Sequence, residues 1–515
     1  MESSLDSDSQ NVLKCVAALQ DLYSNTFQSS YRFSVEESDR DSHSRDASFH
    51  TLESPVAVAY PANSSEVAAT IAICAKFKTP VVGFGAGTSL EGHALPARKG
   101  SVTLNMRENM QQILDLNERD MTVRVQAGVS YTELNEFLRP YKLFFPPDPG
   151  AGATIGGMIA TSCGGTNALK YGTVKSSVLS VKVVTADGKE LETRRATRKS
   201  SAGYHLTEWF IGSEGTLGII TEATLQLHPI PPSSSVIILH FKSIRDAAHC
   251  ASALVRDGTV DATRCELMDS AMVKAADMCL TPDQRNVADL KLGSTLLMVE
   301  LTGEQKSVEN RSETVKKIGL AAGASDDVKV AIEAERKEEL WRIRKEAYWS
   351  AYALRPDASI WTTDVCVPLS RLAKCIQETQ EDLDESGLIA PILAHAGDGN
   401  FHLLILINPD DQSEMKTASE LNERLVRRAL SYSGTCTGEH GVGSGKRHFL
   451  TEEYSQEALD VMRSMKQTLD PNGILNPDKI FPQSTPETPS HGRPPTFHQT
   501  PPSTPCAPDL TTVTE

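Results

Sequence analysis

Two histidines frame the stretch His395-Ala396-Gly397-Asp398-Gly399-Asn400-Phe401-His402, with the apolar runs Pro391-Ile392-Leu393-Ala394 and Leu403-Leu404-Ile405-Leu406-Ile407 on either side. Asp-Gly between two such runs signals a two-residue hairpin turn. With Asp398 and Gly399 at the turn, Gly397 opposes Asn400, Ala396 opposes Phe401 and His395 opposes His402, with Cβ atoms roughly 5 Å apart. Imidazoles so placed can reach one divalent metal at about 2.0–2.1 Å per bond. Further on, Gly438-Glu439-His440-Gly441 offers a carboxylate ligand and a spare imidazole. Two histidines in a half-buried hairpin are also ordinary core residues. The Glu-His pair between glycines turns the reading toward a metal site.

Glycine supplies the second set of chemistry-bearing stretches. Gly85-Ala86-Gly87-Thr88-Ser89-Leu90-Glu91-Gly92 follows the strand-like Pro80-Val81-Val82-Gly83-Phe84. Without Cβ atoms in the way, its backbone N–H groups can close on an anion. It is no Rossmann fingerprint, since Pro96 and Lys99-Gly100 follow instead of a helix with a later acidic residue. It also lacks the Gly-Lys-Ser/Thr ending of a nucleotide-triphosphate loop. A plain tight turn, or a dinucleotide held by another fold, stays open. Pro146–Gly157, Thr161–Asn167 with Lys170-Tyr171-Gly172, and Gly212–Ile220 repeat the pattern. Each glycine would cost a core helix about 1 kcal/mol. That cost fits backbone laid against a flat, phosphate-bearing ligand.

Several elements must position these stretches. Val12, Leu13, Val16, Leu19 and Leu22 fit one helix face, ahead of a Ser- and Asp-rich segment to about residue 50. Val56–Tyr60 reads as a strand, and Asn63-Ser64-Ser65-Glu66 as a capping-box-like start to a helix through about Phe77. Strands follow at Val102–Met106 and Met121–Gln126, Ser130 to Glu133 caps another helix, and Val181–Thr185 with Glu190–Thr193 make a hairpin around Asp187-Gly188. Pro229, Pro231 and Pro232 mark a boundary. Beyond it, strand-like runs (Val236–Phe241, Ser294–Leu301) mix with charged helices such as 326–350. The expected organisation is an N-terminal segment 1–50, a cofactor domain 51–230, an α+β domain 231–430 and a returning segment 431–482. The Pro/Ser/Thr-rich stretch 483–515 cannot bury a core and is expected to be disordered.

At 515 residues the chain exceeds one hydrophobic core. A net charge of −16 disfavours nucleic acid and anionic membrane as partners. No apolar run approaches the roughly 20 residues that span a bilayer. The ten cysteines lie scattered with no C-x-x-C pair, which argues for free thiols in a reducing compartment. Residues 1–50 carry nine acids against four Lys or Arg, so no mitochondrial transit peptide is legible.

Taken as a set, the three Gly-rich elements and the histidine hairpin resemble FAD-linked 2-hydroxy-acid dehydrogenases of the vanillyl-alcohol oxidase/p-cresol methylhydroxylase fold. The nearest group is the mitochondrial, cytochrome-linked D-lactate dehydrogenases. The likeness spans roughly residues 50–482 and is densest at Ser201–Thr207, Glu214–Thr221, Thr363-Asp364-Val365-Cys366-Val367-Pro368 and Gly434–Gly441. It implies an α+β class: an FAD domain of two α/β subdomains, a cap domain with an antiparallel sheet, and a C-terminus returning to the FAD domain. It implies that Gly85, Ala86, Gly87, Thr88 and Ser89, with Gly83 beside them, hold the pyrophosphate. Pro149, Gly150, Thr154, Gly156 and Gly157 would line the flavin, as would Ser162, Gly164, Gly165, Asn167 and Tyr171. Gly218 and Ile219 would meet the adenine side. Relatives that bind flavin through histidine carry it where Thr88 stands, so the FAD is expected to be non-covalent.

The resemblance also implies roles: His395, His402 and Glu439 on zinc or manganese, His440 as general base, Arg344 as clamp for the substrate carboxylate, Asn400 as a further hydrogen bond. The implied substrate is a small D-2-hydroxy acid, the acceptor cytochrome c or another respiratory carrier, and the compartment mitochondrial, with cytoplasmic as the alternative. Relatives that oxidise D-2-hydroxyglutarate carry a lysine where Thr362 stands, so a diacid is expected to fare poorly here. D-2-Hydroxyglutarate and glycolate dehydrogenases, an alkyl-ether-lipid synthase-like transferase, a metal hydrolase and a catalytically dead binding protein are the competing classes.

Overall fold

A computed structural model describes residues 7–150 and 152–482; the stretch 483–515, expected above to be disordered, lies outside the described residues. The residues up to Ile230 and those from Glu439 onward form one unit, and Pro231–Gly438 a second. Residues 431–438, grouped above with the returning segment, thus fall in the second unit. They are held there by Thr435, whose N–H donates to the Cys366 carbonyl at 2.8 Å.

The first unit contains a two-stranded pairing of Leu143–Phe144 with His228–Pro229 and two larger sheets. In the smaller of these two sheets, Ala57–Ala59 and Val81–Phe84 flank Val102–Asn105 in parallel, and Phe33–Ser34 adds an antiparallel edge. Its strands are buried on both faces, as a parallel sheet requires. The helices Ser7–Asp21 and Ser64–Phe77 supply Cys15, Leu19, Val67 and Ile71 to its core. Leu13, expected on the buried face of the first helix, is 58% exposed, and Cys15 occupies the inner position instead. The start of the second helix keeps half a capping box. Asn63 accepts from the Glu66 N–H, but the Glu66 carboxylate turns to the Ala62 N–H and to Arg32. Ser130 and Glu133, by contrast, form the complete reciprocal box ahead of Tyr131–Leu138.

The larger sheet of this unit is antiparallel, in the order Ile113–Asn117, Thr122–Gln126, Ile219–Gln226, Val178–Val184, Glu190–Glu192. The last two strands are the expected hairpin, with Val184 opposite Glu190. The C-terminal segment rejoins this unit. Val81 donates to the Ile474 carbonyl at 2.7 Å, and Asn476 donates to the Val81 carbonyl at 2.8 Å.

The second unit is built on one sheet of eight strands, all antiparallel, running Lys329–Ala331, Ser233–Phe241, Thr295–Gly303, Arg264–Met268, Ile392–His395, Asn400–Ile407, Ser359–Thr362, with Val365–Cys366 also paired to Asn400–Ile407. The charged stretch 326–350 is not one helix. Its start forms the edge strand Lys329–Ala331, and the helices run Ala334–Lys345 and Ala347–Ser350. No helix among the described residues is long and apolar enough to cross a membrane.

Candidate active site

Strand alternation gathers the second unit's polar residues onto one sheet face. Glu266 lies opposite His395, His395 opposite Asn400, and Leu393 opposite His402. Leu393, Leu404, Leu406 and Ile360 share that face and pack under Leu340, Trp341 and Ile343 of the Ala334–Lys345 helix. One part of the face is thus ordinary core, and the other carries carboxylate, imidazole and amide groups.

The hairpin differs from the expected one in register. Ala396 to Gly399 form a four-residue turn rather than Asp398-Gly399 alone, and His395 pairs with Asn400, not His402. Gly399 adopts φ +83°, and a Cβ there would fall 2.1 Å from the Val367 carbonyl oxygen. That neighbour fixes the turn. A slip of two residues keeps every side chain on its face, since only an odd slip reverses it. The two imidazoles therefore remain neighbours on the diagonal, with centroids 5.7 Å apart and planes at 85°.

Both histidines are held in one tautomer. His395 Nδ1 meets Glu266 Oε1 at 2.9 Å, and His402 Nδ1 meets the Thr363 carbonyl at 3.0 Å. A carbonyl only accepts, and Glu266 is ion-paired with Arg344 (Nη2 to Oε2, 2.8 Å), so each Nδ1 carries the hydrogen. A neutral ring held in this way carries its lone pair on Nε2. Histidine ligands to metals are commonly oriented in this way, by a carboxylate or carbonyl on the far ring nitrogen.

Arg344 is 8% exposed, on the inner side of its helix. Its Nε and Nη2 both reach Glu266 Oε2, at 2.9 and 2.8 Å. Arg342, two residues earlier, points the other way, to Glu339 and Glu346. Glu266 is 1% exposed, so removing it would strand a buried guanidinium at a cost of about 3–5 kcal/mol. Asn400 spends its Nδ2 on Asp364 Oδ1 (2.6 Å) and the Val365 carbonyl (2.8 Å). Its Oδ1 is buried with no partner among the described residues. What Asn400 can offer a ligand is therefore an acceptor. Asp364, fully buried, also accepts from Thr437 Oγ1 and the Gly438 N–H, both at 2.7 Å. Glu439 and His440 follow directly in the chain, as the first residues of the other unit.

In the first unit, the expected flavin residues divide by what crowds them. Cβ atoms on Gly85, Gly156 and Gly218 would fall 2.5 Å from Thr154 Oγ1, 2.7 Å from Ala127 Cβ and 2.4 Å from Val183 Cγ1. These glycines are demanded by packing. Gly150 and Gly152 face open space instead. The N–H groups of Ala86, Gly87, Thr88 and Ser89 meet no acceptor among the described residues. Successive unpaired amides are what a pyrophosphate requires, so the segment fits FAD. Thr154 caps the Ile155–Thr161 helix, whose C-cap is Ser162, and Asn167 ties its Nδ2 to the Pro146 carbonyl at 2.9 Å. Gly83 lies within a strand and Ile219 begins another. Tyr171 packs edge-on to Phe144 and His228. Glu439 rests against the Ser162–Asn167 segment: a Cβ on Gly164 would stand 2.7 Å from Glu439 Oε2.

The residues after His440 are anchored closely. Val442 and Gly443 donate to Glu214 Oε1 and Oε2 at 2.6 and 2.8 Å, and Ser444 donates to the Glu91 carbonyl at 2.9 Å. Lys479 reaches the Gly92 carbonyl (2.6 Å) and Ser444 Oγ (2.8 Å). Burial pushes the Glu214 carboxyl up to about 7 and the Lys479 ammonium down to about 7. His93 adjoins this segment. Burial, with Lys479 second, holds it down to about 3, so it is a neutral imidazole. Its Nδ1 is buried without a partner among the described residues. Glu266 and His93 were not singled out from the sequence, and Asp364 and Glu214 entered only within stretches of likeness, without a role of their own. The signal available for Glu266 was a lone carboxylate in the otherwise strand-like Arg264-Cys265-Glu266-Leu267-Met268.

Residues 55–194 match a family model described as an FAD binding domain, and residues 230–480 match one described as the C-terminal domain of FAD linked oxidases. A mitochondrial D-lactate dehydrogenase [cytochrome] of Arabidopsis thaliana is 44% identical over 84% of this chain and 75% of its own length. Its namesake in Kluyveromyces lactis is 42% identical over 92% of this chain and 82% of its own length. Among solved structures, p-cresol methylhydroxylase with substrate bound superposes with a TM-score of 0.73 at 17% identity, covering 92% of this chain and 97% of that one.

Proposed function

Because the chain belongs to the FAD-linked oxidases and is an FAD-dependent oxidoreductase, we propose that it oxidises D-lactate and related small D-2-hydroxy acids to 2-oxo acids. The observation that carries this reading is the pair of histidines on one sheet face, each oriented by an acceptor on its Nδ1. Oxidising R–CH(OH)–COO⁻ takes a hydride acceptor, a proton acceptor and a cation for the carboxylate. FAD, bound non-covalently given Thr88, supplies the hydride acceptor. A zinc or manganese ion on His395, His402 and Glu439 would lower the pKa of the substrate hydroxyl. His440 takes the hydroxyl proton, a task suited to an imidazole. Arg344 pairs with the substrate carboxylate through N–H groups left over from Glu266, and Asn400 contributes Oδ1. Cytochrome c or a similar respiratory carrier as acceptor, and a mitochondrial location, follow the names of the relatives.

Purified protein is expected to be yellow, and acid precipitation to release the colour. D-Lactate should bleach it. Colourless protein that cannot be reconstituted with FAD would overturn the reading, and colour left in the pellet would refute non-covalent binding.

Selectivity should follow Thr362, which is 8% exposed with its Oγ1 unpartnered among the described residues. A second substrate carboxylate there would be desolvated without a counter-ion. kcat/KM, measured with an artificial electron acceptor, is expected to favour D-lactate and D-2-hydroxybutyrate over glycolate and D-2-hydroxyglutarate. Thr362→Lys should narrow the gap for the diacid. Hydroxyglutarate ahead in the unaltered protein would refute the Thr362 argument.

A further inference from the structure

The turn Gly212–Gly218 and the segment after His440 are far apart in sequence, yet one side chain joins them. Glu214 directs both carboxylate oxygens at consecutive backbone amides, Val442 N–H at 2.6 Å and Gly443 N–H at 2.8 Å. Its own carbonyl accepts from Asn476 Nδ2 at 2.7 Å. The fit leaves no slack: a Cβ on Gly441 would stand 2.8 Å from Glu214 Oε1, and Gly441 and Gly443 take φ +84° and +52°. Glu214 itself is at φ +50°, a left-handed conformation unusual for a glutamate. Nothing about packing asks for an acid here. Two converging N–H donors do, because a carboxylate presents two acceptor oxygens where a neutral amide presents one.

We infer that Glu214 is a positioning residue for His440, fixing the backbone two residues beyond it so that the imidazole stands at one place in the site. The inference rests on His440 as the base. It goes further in assigning the Gly212–Gly218 turn a part in proton transfer beside its expected part in holding flavin. The burial that raises the Glu214 carboxyl to about 7 is the cost of this arrangement, opposed first by the Val442 and Gly443 N–H bonds and then by Lys479. The next amide, Ser444, is held by the Glu91 main-chain carbonyl rather than by a side chain. Glu214 is therefore the first side-chain anchor after the base.

The test is Glu214→Gln in the full-length, flavin-loaded protein, which keeps size and removes one acceptor. Three quantities are read: flavin content, kcat and KM for D-lactate, and amide hydrogen exchange of residues 441–446. Expected are flavin content and KM within about twofold, kcat lower by about 10- to 100-fold, as a roughly 1 Å displacement of a reacting group costs, and faster exchange at Val442 and Gly443. Glu214→Asp, which keeps the charge but withdraws it by one methylene, should show the same pattern and serves if the amide variant fails to fold. Unchanged kcat, unchanged exchange, or a loss confined to flavin content would each overturn the inference. If the unaltered protein does not oxidise D-lactate, the functional reading fails instead. The exchange result then still decides whether Glu214 holds the segment.

Discussion

Replacing His440 with asparagine is expected to lower kcat by about 10²–10⁴-fold, the usual worth of a positioned base, with flavin and metal content unchanged. Asparagine keeps a polar side chain of similar reach but cannot accept the hydroxyl proton. The backbone around it should hold, because Val442, Gly443 and Ser444 are bonded to Glu214 and Glu91 independently of the imidazole. The experiment pairs steady-state kinetics with the flavin spectrum and metal analysis on one preparation. A variant that turns over at the original rate would assign the proton to another group.

A second large effect is expected from His402→Ala: loss of bound metal and of measurable turnover, with FAD retained. Retention follows from location, since His402 is on the sheet of Pro231–Gly438 while the glycine-rich stretches belong to the other unit. The substitution also leaves the Thr363 carbonyl without its donor. Leaving such a buried acceptor unpaired costs about 1–3 kcal/mol, so a modest fall in Tm should accompany the loss. Metal content, flavin absorbance and Tm separate the possibilities. An active, metal-free variant with only the Tm deficit would show the hairpin histidines to be structural.

Legibility followed the range of the interactions involved. The Ser130 capping box and the Val178–Val184/Glu190–Glu192 hairpin rest on neighbours within a dozen or so residues, and the sequence displays them. The histidine hairpin was visible as a hairpin, but its register was not, because the Val367 carbonyl that shapes Gly399 comes from another strand's end. The face of the two histidines survived the error only because side-chain direction repeats every second residue. Arg344 looked like one of several cations on a charged helix. Its burial depends on Glu266, 78 residues away, and the bond from Glu266 to His395 spans 129. Glycine carries a similar ambiguity: Gly218 is a packing requirement and Gly150 an open surface, and both read the same in one dimension.

The order in which this polypeptide leaves the ribosome has its own consequence. The Val81 edge of the parallel sheet is closed by Ile474 and Asn476, almost at the end of the described chain. Asp470, fully enough buried to be 2% exposed, receives the Ile474 and Leu475 amides there. During synthesis the first unit must therefore wait, with an open strand edge, while all of Pro231–Gly438 is made. Among the described residues the second unit is continuous in sequence, so all of its own strands are made before Ile474. Closing a loop of that length is slow, and an exposed edge is prone to mispairing meanwhile. Premature termination shortly before Ile474 would thus leave every residue of the histidine hairpin in place, yet deliver a nascent chain whose first unit never finishes folding.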